Sequence, residues 1–153
     1  MRGDKRQRLR LLFSKGEEIR YISHLDLVRL WHRTLRRAGV PLAYSQGFNP
    51  RPKISLAAPL PVGFTSEGEV MEVWLEHPIS TVNFARSVKS ELPPGVTLRE
   101  VEEVYLALPS LQSQLRFAEY LVSPLREPRQ EVWSRVERLL AADSVSKSPE
   151  YKS

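Results

Sequence analysis

Residues 8–39 read RLRLLFSKGEEIRYISHLDLVRLWHRTLRRAG, and the apolar period changes inside them. In Arg8–Lys15, Leu9, Leu11 and Phe13 alternate with Arg8 and Arg10, which predicts a strand. A turn follows over Lys15–Glu18, and Ile19–Ile22 reads as extended. Ser23 has the chemistry of a helix N-cap, with Asp26 three residues on at the capping-box position. Leu27, Leu30, Trp31, Leu35 and Ala38 then recur at helical spacing, and Gly39 supplies the stop. A strand, a turn and an amphipathic helix therefore open the chain.

Working outward, residues 44–63 read YSQGFNPRPKISLAAPLPVG. Two turns, Gln46–Pro52 and Pro59–Gly63, bracket the apolar run Ile54–Ala58, which reads as a second strand. Pro50, Pro52, Pro59 and Pro61 fix φ and restrict the residues before them, so this stretch is stiff. Phe64–Glu69 reads as a turn into a third strand, Val70–Leu75. There Val70, Glu72, Trp74 and Glu76 share one face, and Met71, Val73 and Leu75 the other. Thr81–Leu92 predicts a second helix, ended by Pro93-Pro94-Gly95, and Val96–Ala107 a fourth strand. The order β-α-β-β-α-β over residues 8–107 is that of an α+β ferredoxin-like sandwich with an antiparallel sheet.

A partial second ferredoxin-like unit is expected over 115–147. It comprises a strand at Phe117–Val122, a helix at Glu127–Ala142 opened by Pro128, and a short strand at Ser144–Lys147. Residues 148–153 carry no core and are expected to be a disordered tail. Half a sandwich cannot bury its own sheet face. It must pack on the first unit, pair with another chain or stay mobile.

Composition bounds the function. Of 153 residues, 41% are hydrophobic, enough for a real core. No run approaches the roughly 18 apolar residues of a membrane span, and the basic N-terminus lacks a signal-peptide core, so a cytoplasmic location is expected. The chain has no cysteine, which excludes thiol catalysis and cysteine-ligated clusters within it. No HxxxH, HxH or carboxylate cluster accompanies its histidines, and His24 and His32 are about 12 Å apart along a helix, so no metal is expected. No phosphate-loop or nucleophile-elbow motif is present.

Charge is divided unevenly. Residues 1–60 hold 13 Lys/Arg and 4 Asp/Glu, a net +9, while residues 61–153 hold 10 and 14, a net −4. A basic end of this kind points to a polyanion, most often nucleic acid. On the first helix Arg29 and Arg36 lie about 20° apart and Arg33 about 40° beyond Arg29, away from the apolar stripe. They form either an RNA-phosphate ridge or a solvated helix face, and Arg6, Arg8, Arg10 and Arg37 add to the basic count. Arg51 and Lys53, with Tyr44 and Phe48, sit on the stiff loop, which reads as a ligand site or as a rigid connection. The turn is expected to aim both cations toward the start of the first helix. His24, in the first helical turn, would be a neutral base in a metal-independent RNA-cleaving set with Tyr21 and Lys53, or a capping-turn histidine. Glu72 and Glu76 would repel a nucleic-acid backbone from the Trp74 face. That face is expected to meet the second unit or a protein partner.

The blocks SHLDL (23–27) and YSQGFNPRPKIS (44–55) closely resemble the radical-SAM-linked protein family, a domain of unknown function encoded beside or fused to cobalamin-binding radical SAM enzymes. The resemblance covers at least residues 8–107. It implies a radical SAM partner and an RNA setting, with iron–sulfur cluster, S-adenosylmethionine and cobalamin carried by the partner and no cofactor in this chain. The expectation is a non-catalytic RNA-binding or adaptor module for tRNA or rRNA modification. The alternative is a metal-independent endoribonuclease, by fold similarity to CRISPR repeat-processing nucleases; fold alone does not transfer function.

Overall fold

The computed structural model describes residues 6–123 and 129–142. Strand β1 (Gln7–Lys15) is followed by a 3-10 turn at Glu17–Ile19 and helix α1 (His24–Arg37). Strands β2 (Ile54–Leu56) and β3 (Ser66–Leu75), helix α2 (Thr81–Lys89) and strand β4 (Val96–Val104) complete the sandwich. The sheet runs β2-β3-β1-β4, with every pairing antiparallel. This is a ferredoxin-like α+β architecture.

Local chemistry sets these bounds. The Ser23 hydroxyl accepts the Asp26 amide at 3.1 Å and caps α1, and Gly39 leaves the helix at φ +69°. Ser80 caps α2 in the same way, from the Asn83 amide at 3.3 Å. Leu9, Leu11 and Phe13 point to the helix side, where Trp31, Leu35, Phe84 and Val88 close over them with Met71, Val73 and Leu75. Phe13 and Trp31 meet edge to face at 4.9 Å. Lys15 continues this inward row and is buried. Desolvation lowers its pKa, partly opposed by the charge of Glu69, and its Nζ donates to the Arg20 carbonyl at 3.1 Å.

Part of the opposite sheet face is covered by the chain itself. After β4 the backbone turns at Tyr105–Leu108 and returns across all four strands, ending in a short helix α3 (Leu111–Gln114). Arg8 in β1 donates to the carbonyls of Leu108 at 2.6 Å and Pro109 at 2.8 Å. Gln112 reaches Ser55 and the Leu56 carbonyl of β2. Beneath this strap, the fully buried carboxylate of Glu72 takes Arg8 on one oxygen and Arg10 on the other. The Arg8 guanidinium also lies 5.0 Å from the Trp74 ring centre. Residues 105–114 thus cover the part of this face around Arg8 and Glu72.

Several boundaries differ from the sequence reading. Ile19–Ile22 is not extended, because residues 17–19 form the 3-10 turn. β3 starts at Ser66, inside the expected turn, since its first residues pair with the end of β1. β4 stops at Val104 where Arg8 draws the chain back. The chain divides into units 1–116 and 117–153. In the second, Phe117–Val122 forms no strand, contrary to expectation. A strand needs a neighbouring edge, and the described residues supply none; Phe117, Leu121 and Val122 are exposed. Helix α4 (Arg129–Leu140) is present, with Trp133 and Leu140 exposed. The expected strand at Ser144–Lys147 and the tail at 148–153 lie outside the described residues.

Candidate functional site

Between Asp26 and Glu67 the chain has no carboxylate, while Arg29, Arg33, Arg36, Arg37, Arg51 and Lys53 all fall in that interval. The interval builds α1, the hairpin that follows it, and β2. This run of cations without acids is a compositional signal missed by the split at residue 60.

The hairpin is a braced structure. Pro41 and Ala43 bond to β3 through Glu76 and Trp74, and Leu42 pairs with Leu75. Tyr44 then pairs with Pro52, the Ser45 amide donates to the Arg51 carbonyl at 2.8 Å, and the Arg51 amide donates to the Ser45 hydroxyl at 2.9 Å. Gly47 turns the tip at φ +124°, a conformation that glycine adopts without strain. Phe48 beside it is fully exposed.

Helix and hairpin join through one pair. The His32 ring and the Tyr44 ring stand at 73° with centroids 6.3 Å apart, and His32 Nε2 lies 3.4 Å from the Tyr44 hydroxyl. Burial lowers the His32 pKa, and the charge of Arg36 lowers it further, so the neutral ring is favoured. Arg36, His32, Tyr44 and the stem of the hairpin are thus one continuous surface.

The arginines differ in their freedom. Arg29 is paired with Asp26 at 3.1 Å, and the Asp26 carboxyl is held below its usual range by the Ser23 hydroxyl and then by Arg29. Arg33, Arg36, Arg37 and Arg51 are exposed and form no ion pair among the described residues. Arg8 and Arg10 are withdrawn from any binding role by Glu72, which corrects their counting toward a basic face.

Among the described residues, no hydrogen bond or ion pair joins the Arg51 or Lys53 side chain to the start of α1. Tyr44 and Ile54 pack against the core, and between them the Lys53 amide donates to the Ala43 carbonyl at 2.8 Å. The other turn, Pro59–Gly63, meets the 3-10 turn that precedes α1: the Gly63 amide donates to the Arg20 carbonyl at 2.8 Å, and Arg20 Nε donates back to the Gly63 carbonyl. Tyr21 is exposed with the Arg20 guanidinium 5.0 Å from its ring centre. His24 has its Nδ1 buried without a partner. No hydrogen bond or ring contact joins His24, Tyr21 and Lys53 among the described residues. The described residues bring no group of three or more His, Asp and Glu side chains together, and none of their helices is long and apolar enough to cross a membrane.

Fold and surface together define a ferredoxin-like α+β protein with a basic helix–hairpin face. The chain belongs to the DUF2344 family, described as an uncharacterized protein conserved in bacteria, whose family model matches residues 8–153. No curated protein matches it.

Proposed function

We propose that this protein is a non-catalytic RNA-binding adaptor whose helix–hairpin face holds the RNA backbone. The observation that supports it best is the acid-free interval 27–66, within which Arg33, Arg36, Arg37 and Arg51 are exposed and form no ion pair among the described residues. Guanidinium forks suit phosphate oxygens, and the field of several unpaired arginines favours a polyanion over a neutral ligand. The resemblance of SHLDL and YSQGFNPRPKIS to radical-SAM-linked proteins supports a radical SAM enzyme acting on tRNA or rRNA as the partner. That partner would supply the iron–sulfur cluster, S-adenosylmethionine and cobalamin. The nuclease alternative draws no support from contacts, since no hydrogen bond or ring contact joins His24, Tyr21 and Lys53 among the described residues.

Charge reversal tests the reading. Arg33→Glu, Arg36→Glu and Arg37→Glu together should weaken binding of a structured RNA at least tenfold and flatten its salt dependence. Unchanged affinity with the fold intact would reject the face. RNA cut without metal by the purified chain, and left whole by His24→Ala, would replace the adaptor with the nuclease.

A further inference from the structure

We propose that the hairpin tip is a base-stacking finger: Phe48 stacks on an unpaired nucleotide of an RNA whose phosphates lie along α1. This rests on the RNA reading above and names the kind of RNA: a stem with unpaired bases beside it.

Phe48 is a large apolar ring with no packing of its own. Its stem is held by the Tyr44–Pro52 bridge and by both backbone–Ser45 bonds to Arg51, and is tied to α1 by His32. The ring is therefore presented on a braced support, so little ordering entropy is left to lose when it binds. Arg51 stands at its foot, and the hairpin itself carries no Asp or Glu.

The other place where such a fold stacks bases is the open face of its sheet. Here the strap 105–114 crosses that face, and the ring of Trp74 carries the Arg8 guanidinium. Stacking is thus displaced from the sheet to the hairpin. Bases inside a duplex are already stacked on each other, so a protruding ring finds a free π-face only on an unpaired nucleotide.

The experiment compares a stem-loop RNA with the blunt duplex of its stem, by anisotropy, for the full chain and its variants. A 2-aminopurine in the loop reports stacking. The wild type should prefer the stem-loop by about tenfold, the range of one base–aromatic stack. Phe48→Ala should bring stem-loop affinity down to the duplex value without changing duplex binding, and Phe48→Trp should restore both the preference and the fluorescence change. Equal wild-type affinity for the two RNAs, with both lost on reversal of Arg33, Arg36 and Arg37, would overturn the finger and leave the helix face standing. Binding of neither RNA would overturn both. A preference untouched by Phe48→Ala would overturn the finger and assign Phe48 to a protein contact.

Discussion

Arg8 and Glu72 meet in full burial on the sheet face away from the helices, Arg8 Nε donating to Glu72 Oε2 at 2.9 Å. Arg10 takes the other carboxylate oxygen, and the strap carbonyls take what remains of the Arg8 guanidinium. One buried carboxylate thus holds the buried Arg8 and the partly exposed Arg10, which also reaches Glu102 at 3.5 Å. Glu72→Ala should cost about 3–5 kcal/mol in urea unfolding, because it leaves Arg8 buried without its charge partner. A double-mutant cycle with Arg8→Met should show coupling on the order of 1–3 kcal/mol. Independent, additive losses would mean that the pair is not a unit.

Gln7 makes a second clamp of long range. Its amide accepts the Ile79 amide at 2.9 Å and donates to the Ile79 carbonyl at 3.0 Å, fixing the entry to α2, and also donates to Glu103. Gln7→Glu removes the donor and sets a carboxylate against two acceptors. The variant should lose roughly 2 kcal/mol at neutral pH. The new acid is easier to protonate in the folded protein, so the deficit should shrink as pH falls. A deficit independent of pH would reject this account.

For His32 the folded pKa is lowered, first by burial and then by Arg36. Below the ordinary histidine value of about 6.5, the unfolded chain binds the proton more readily than the folded one. Stability contributed by neutral His32 is therefore present above that value and is lost as pH falls through the folded pKa. The effect is small because the ring is only partly buried. Comparing wild type with His32→Gln across this window should show the extra acid sensitivity in the wild type alone. Parallel pH curves would contradict it.

Gly95 lies at φ +88°, and a Cβ there would sit 3.1 Å from both Glu18 Cβ and Ile19 Cγ1. Gly95→Ala should cost about 1–3 kcal/mol through backbone strain and crowding. A melting temperature unchanged from wild type would show that the turn shifts freely.

Much of the fold is legible because its signals are local. The alternation of Leu9, Leu11 and Phe13, the Ser23 cap and the helical recurrence of Leu27, Trp31 and Leu35 each need only neighbouring residues. β3 began earlier than its composition suggests because pairing with β1 outweighs the poor strand preference of Ser66–Glu69. The strap has no apolar period to read. It is held mainly by side chains reaching main-chain carbonyls, which every sequence offers. Phe117–Val122 shows the reverse: a strand pattern with no edge to join among the described residues.

The site was legible in part for the same reason. The spacing of Arg29, Arg33 and Arg36 places them on one helix face, but their freedom depends on which carboxylates come near. Arg8 and Arg10 counted as available until the sheet brought Glu72 between them. His32 and Tyr44 are 12 residues apart, and only the folded hairpin makes them neighbours.

The strap also orders events in time. Arg8 reaches Leu108 across 100 residues of chain, and it can do so only after β1, β3 and β4 have paired. Closing a loop of that length costs more entropy than the local pairings of the sheet, so the strap is the part of unit 1 whose docking depends most on the rest being in place.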